Sequence, residues 1–183
     1  MITIDGSEGE GGGQVVRSAL ALSLATGQPF SIDNIRARRP KPGLMRQHLT
    51  AVEAACRISG ATCDGAAVGS SRLTFTPGKA MAGSYSFAIG TAGSTGLVLQ
   101  TLLPALMSAD APSTLVIEGG THNPHAPPFD FIAQTYLPLI GHFGPRVTAK
   151  LERHGFYPAG GGRITVDIKP APLARCDFFQ RGA

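Results

Sequence analysis

Several stretches of this chain have the residue types and spacing to handle a phosphate-bearing ligand. Gly9-Glu10-Gly11-Gly12-Gly13-Gln14 precedes an apolar run. Glycines let successive backbone N–H groups converge on an anion, and a helix starting there adds positive potential. The stretch fits neither GxxxxGK[ST] nor GxGxxG, so it is no standard nucleotide fingerprint. Glu10 would repel a phosphate unless a divalent cation bridges the two, and hard carboxylate oxygens suit Mg2+ or Mn2+. A plain flexible turn is the simpler alternative. Arg17, the only charge between Gln14 and Gly27, either snorkels to solvent or reaches a phosphate beside the glycines. The loop Arg36-Ala37-Arg38-Arg39-Pro40-Lys41-Pro42-Gly43 is stiff and basic, and Arg46 and Gln47 follow it. Arginine suits bidentate phosphate contacts; the plain alternative is a basic loop in water.

Farther along, Gln100 is the strongest polar group in a long apolar run. A buried Gln must find hydrogen-bond partners, whether a base, a phosphate or an ordinary core group. His122-Asn123-Pro124-His125 suggests a metal site, but no third ligand follows at a suitable spacing. Pro127-Pro128 is better suited to form a flat wall against a base. Arg153 to Gly162 includes Gly160-Gly161-Gly162, which permits close backbone approach, either to a ligand or to other protein.

The elements that must hold these residues follow from periodicity. Strands are expected at residues 2–5, 29–35, 62–67 and 72–77, with helices at 14–26 and 42–59. The order β-α-β-α-β-β then returns: strands at 84–89, 114–118, 147–151 and 163–168, a helix at 97–109 bent by Pro104, and a second at 129–143, irregular at Pro138. This predicts an α+β fold of two tandem units, residues 1–80 and 81–170, each a four-stranded sheet with two helices on one face. Helices this apolar must be covered on more than one side, so the units should pack helix against helix. Residues 171–183 lose periodicity and read as a tail.

Composition narrows the class. Of 183 residues, 43% are hydrophobic and 15% charged, too apolar for a disordered chain. No apolar run reaches the roughly 18–20 residues of a membrane span. The first residues lack the basic and apolar regions of a secretory signal. Three cysteines, odd in number and never spaced CxxC, argue against a disulfide framework and a zinc site, and suit a reducing cytoplasm. The net charge of +4 is concentrated around Arg36–Arg46 and fits an anionic partner such as a nucleotide or an RNA end.

At five segments the sequence resembles the N-terminal part of an RNA 3′-terminal phosphate cyclase: DGSEGEGGGQVVRSALALS (5–23), IRARRPKPGLMRQHLTAV (35–52), FAIGTAGSTGLVLQTLLPAL (87–106), EGGTHNPHAPPFDF (118–131) and RHGFYPAGGGRI (153–164). The resemblance covers about residues 1–170 and implies a fold of repeated sheets carrying two helices each, akin to enolpyruvyl transferases. It implies use of ATP and a divalent metal, Mg2+ or Mn2+. The family adenylates its own histidine, passes AMP to an RNA 3′-phosphate and lets the neighbouring 2′-OH close a 2′,3′-cyclic phosphate. By the same resemblance Glu10 matches the metal-binding glutamate, Arg17, Arg36 and Arg39 the phosphate-binding arginines, Gln47 and Gln100 the active-site glutamines, and Pro127 the adenine-packing proline. Asn123 falls in the same loop. The family's nucleophilic histidine lies in a C-terminal repeat, and none of His48, His122, His125, His142 and His154 matches its motif. The resemblance therefore implies a truncated cyclase, inactive by itself, with a possible homodimer contact through uncovered helix faces. The alternative is a non-catalytic relative that binds RNA or serves ribosome assembly.

Overall fold

Two copies of one strand–helix plan meet helix to helix in the computed structural model, which describes residues 1–179. The first comprises β1 (Ile2–Asp5), α1 (Gly13–Thr26), β2 (Phe30–Asp33), α2 (Arg46–Ser59), β3 (Thr62–Asp64) and β4 (Leu73–Thr76). The second comprises β5 (Ser84–Ala88), α3 (Thr95–Met107), β6 (Ser113–Gly119), the short α4 (Phe129–Phe131), a π-helical turn (Ile132–Tyr136), α5 (Leu137–Gly141), β7 (Arg146–Arg153) and β8 (Gly162–Lys169). The sheet orders are β1-β2-β4-β3 and β5-β6-β8-β7. Each has one parallel pair, bridged by a helix, and two antiparallel pairs. The expected α+β class is therefore the one observed, and the two sheets share a single connectivity.

Burial follows the sequence pattern. Phe30 and Ile32 of β2 and Leu73 and Phe75 of β4 alternate inward, with the Phe30 and Phe75 rings 5.7 Å apart. Leu115 and Ile117 of β6 and Ile164, Val166 and Ile168 of β8 do the same in the second sheet. Helix α1 packs along α3, and α2 contacts both, so the helices cover one another between the sheets. Removing such apolar surface from water contributes roughly 25 cal/mol per Å2 and is the main force joining the halves. No helix is long and apolar enough to cross a membrane among the described residues.

Local differences from the sequence reading have physical causes. Helix α2 begins at Arg46, not at Pro42-Gly43. Gly43 adopts φ +78°, and hydrogen bonds from Gly43 N–H to Ile35 O, from Leu44 N–H to Ser70 O and from Gly69 N–H to Leu44 O hold the segment as a loop. Strand β2 ends at Asp33 because Asn34 turns to φ +55°. Helix α3 starts earlier than expected, where the Ser94 hydroxyl caps Leu97 N–H, and it runs through Pro104. The irregularity expected at Pro138 is a π-helical turn just before it. A proline lacks the N–H that would bond one turn back, which favours such a rearrangement. All three cysteines are free, although Cys56 on α2 and Cys63 on β3 bring their sulfurs to 3.2 Å. Residues 170–179 have no regular structure, but Ala174 N–H bonds to Phe143 O and the Phe178 ring meets His142 edge-on; residues 180–183 of the expected tail lie outside the described residues.

Two glycines separate backbone strain from crowding. Gly27 closes α1 at φ +73° with open space where a side chain would sit. At Gly43, a Cβ would fall well inside contact distance of the Gly69 carbonyl. Gly27→Ala should cost about 1–2 kcal/mol, the usual strain of a left-handed residue, and Gly43→Ala distinctly more. Calorimetric melting of both variants checks this; equal losses would show that the 69–70 turn yields freely.

Candidate functional site

The N-terminal turns of α1, α2 and α3 open onto one cleft of about 810 Å3. Its first wall is Glu10, Gly12, Gly13, Gln14 and Arg17; Arg36, Arg39, Gln47 and His48 form the second. The opposite side comes from Ala92, Ser94 and Leu97, the loop Asn123–Ala126, and Tyr157. Of the residues singled out from sequence, Glu10, Arg17, Arg36, Arg39, Gln47 and Asn123 meet here. Gln100 and Pro127 do not line the cleft; they share a small neighbouring apolar pocket with Leu99, Phe131 and Tyr136, separated from the cleft by Leu97. Gln100 is exposed rather than buried, so water satisfies its amide.

Arg17 is the dominant electrostatic feature. Its residue is 8% exposed, and one guanidinium nitrogen donates to Gln14 Oε1 at 2.7 Å. Its Nε is buried without a hydrogen-bond partner, and no carboxylate pairs with it among the described residues. Burial lowers its pKa from the usual arginine value. The adjoining N-terminus of α1 has no side-chain cap, so its free N–H groups and dipole add to the positive field.

The other arginines divide their work. Arg36 donates to Lys41 O at 2.6 Å and Gly43 O at 2.8 Å, tying the basic loop into shape. Burial, and then the charge of Arg39, lower its pKa. Arg39 forms an ion pair with Glu10 and lies over Gly12, where a Cβ would sit 3.0 Å from the guanidinium. Glu10 thus has a cationic partner within the protein, which spacing did not reveal. Gln47 Oε1 accepts from Ser94 N–H at 2.7 Å and joins α2 to the start of α3. Asn123 donates to Ala92 O, and its own Oδ1 is buried without a partner.

His48 was not assigned a role from sequence. Its Nδ1 accepts from Met45 N–H at 3.1 Å, which leaves the proton on Nε2. That edge presses on Gly13 so closely that a Cβ there would overlap the ring. The nearest sequence signal was a glycine run longer than any turn needs. His122 is held by neighbours on both ring nitrogens. It bonds to Asp130 at 2.9 Å and to Thr121 at 2.9 Å, and stacks with His154 and Phe156. The hydrogen bond from His122 lowers the Asp130 pKa. Among the described residues, no three acidic, histidine or cysteine side chains group to hold a cation. The Arg153–Gly162 loop brings Tyr157 to the cleft and Gly160 against the backbone of Thr91 and Ala92.

The structure is thus an α+β protein whose three helix starts share one arginine-rich, glycine-lined cleft. A family model described as RNA 3′-terminal phosphate cyclase matches residues 8–177, and the chain belongs to that family. An RNA 3′-terminal phosphate cyclase from Koribacter versatilis (strain Ellin345) is 60% identical over 183 residues, covering all of this chain and 52% of that protein. Another from Ralstonia nicotianae (strain ATCC BAA-1114 / GMI1000) is 56% identical over 184 residues, covering all of this chain and 53% of that protein. The chain therefore spans about half the length of the curated relatives it matches. The crystal structure of the enolpyruvyl transferase NikO from Streptomyces tendae is similar over 89% of this chain and 31% of that one, with a TM-score of 0.47 and 16% identity.

His48 also gives the site a pH signature. Burial, followed by the charges of Arg17 and Arg36, lowers its pKa from 6.5 to about 4. The folded chain therefore resists a proton that the unfolded chain accepts near pH 6.5. The stabilisation is complete above that pH and is lost as pH falls toward 4, by roughly 3 kcal/mol in all. Denaturant unfolding at pH 7 and pH 4.5 should show this fall, and His48→Gln should flatten it. An unchanged pH slope in the variant would exclude His48 as its source.

Proposed function

We propose that this cleft binds the phosphates of ATP and of an RNA 3′ end in the cyclase reaction of the family. The observation that carries the reading is Arg17: a buried guanidinium with an orphan Nε, beside an uncapped helix N-terminus, calls for an anion. Arg39 and the free donors of Arg36 add further charge-assisted contacts, each contributing about 1.5–3 kcal/mol. Gln100 and Pro127, in the pocket behind Leu97, are proposed to receive the adenine. Adenylylation would give an unreactive phosphate monoester a leaving group, and the adjacent 2′-OH attacks at high effective molarity. His48 is unsuited to take the adenylyl group, since one nitrogen accepts from Met45 and the other is pressed on Gly13. Alone, this chain is proposed to bind nucleotide without turning it over.

The donor set fits a divalent cation held jointly with ligand phosphates. Glu10 is the one carboxylate lining the cleft among the described residues, and Mg2+ is commonly held by one or two carboxylates plus substrate phosphates. When bound, Mg2+ or Mn2+ supplies charge that neutralises phosphate oxygens. A cation there would compete with Arg39 for the Glu10 charge, which would loosen Arg39 for the ligand.

Titration calorimetry with ATP should give high-micromolar affinity. Arg17→Met should weaken it by about 10–150-fold while leaving the melting temperature unchanged or higher, because an unpaired buried charge is removed. Equal binding by that variant would sink the reading. Glu10→Gln should act with opposite signs: tighter ATP binding without divalent cation, where it removes a repelling carboxylate, and weaker binding with Mn2+. The same sign in both conditions would argue against a metal role for Glu10.

A further inference from the structure

Tyr157 is 76% exposed, yet it lines the phosphate cleft from the side opposite the arginines. An exposed aromatic ring is ordinarily a loose feature, but this one stands on a braced loop. Its neighbour Phe156 stacks with His122 at 5.5 Å and with His154 at 6.0 Å, and Asp130 fixes the His122 ring. Thr121 N–H bonds to Gly155 O at 2.8 Å, Gly155 N–H returns to Thr121 Oγ1 at 2.9 Å, and Gly160 N–H closes on Phe156 O at 2.7 Å. Gly160 itself leaves no room for a side chain against Thr91 and Ala92. The backbone that carries the ring is thus held at a fixed place on the cleft wall.

We infer that Tyr157 is a stacking platform for the base of the RNA's terminal nucleotide, whose phosphate lies against Arg17 and Arg39. The inference rests on the phosphate reading of the cleft given above. A flat, exposed ring takes any base, since every base has a π-face, and this suits a protein that acts on RNA ends rather than on one sequence. The cleft volume, at the upper end of the range for small-ligand sites, leaves room for a terminal nucleotide beside a second phosphate ligand. In the reading given above the adenine of ATP goes instead to the apolar pocket of Gln100 and Pro127.

The chain has no tryptophan, so Tyr157→Trp creates a single fluorescent reporter at the proposed platform. A short oligoribonucleotide ending in a 3′-phosphate should quench it. The same oligonucleotide with an abasic terminal residue should not, and ATP alone should not. In anisotropy titrations of the unsubstituted full chain, Tyr157→Ala should weaken oligonucleotide binding by about five- to 150-fold, the range measured for one stacked base. Tyr157→Phe should bind within about twofold of the parent, because the ring and not the hydroxyl makes the contact. Melting temperatures should be unchanged in both variants, given the exposure of the side chain. Quenching by ATP alone would reassign the platform to the nucleotide, and equal quenching by the abasic oligonucleotide would overturn stacking. Binding that survives Tyr157→Ala unchanged would overturn this inference alone. Failure of the unsubstituted chain to bind the oligonucleotide at all would overturn the phosphate reading with it.

Discussion

A positive charge taken out of water without a negative partner governs the arrangement around Arg17. Moving a guanidinium into a protein interior costs several kcal/mol unless a counter-charge and hydrogen bonds compensate. Here a single neutral amide, Gln14, accepts from it. Much of the neighbourhood is consistent with that unmet demand. Burial, and then the charges of Arg17 and Arg36, keep His48 neutral, and its neutral ring can lie flush on Gly13. Arg36 is anchored by two backbone carbonyls rather than a carboxylate, so its charge also remains uncompensated at the cleft. Such a site is less stable empty than an apolar one would be, and an anion bound as proposed above would offset that cost.

Glu10 is the exception that keeps the cleft from being a simple anion sink. Its pairing with Arg39 crosses from the glycine turn to the basic loop and holds both near the mouth of the cleft. Glu10 is largely in water and Arg39 partly so, and an ion pair this exposed contributes little to stability. Its weight is in competition: a cation arriving at Glu10 would share the negative charge that Arg39 now has to itself. The same two groups therefore set how the cleft responds to the charge of whatever enters it.

Much of the fold was legible because its signals are local. Two glycine-rich turns before apolar helices, and alternation in the sheet strands, are enough to reveal the repeated plan. Other features depend on contacts between distant segments. In residues 97–107 nearly every position is apolar, so periodicity could not show that Gln100 falls on the one stripe that α1 and the sheet leave open. The start of α2 was misplaced because Pro42-Gly43 looks like a helix entry, while hydrogen bonds to Ile35 and to the 69–70 turn override local preference. The arginines and the glutamate beside glycines stood out in the sequence, but spacing alone left a flexible turn and a solvated basic loop open as alternatives. His48 and Tyr157 did not stand out, because their roles consist of what they lie against: Gly13 in one case and the cleft wall in the other.

The equal connectivity of the two sheets hides an unequal division of labour. The charged residues lining the cleft, Glu10, Arg17, Arg36 and Arg39, belong to the first unit. The second contributes small, amide, imidazole and aromatic surfaces: Ala92, Ser94, Asn123, His125 and Tyr157. Corresponding turns and loops of one architectural plan have thus taken up complementary chemistry, one gripping charge and the other offering shape. A lineage built this way can change the shape of the cleft by drift in its second unit while the charges of the first stay intact. Ligand range and charge are then separately variable, because they are carried by different units of the chain.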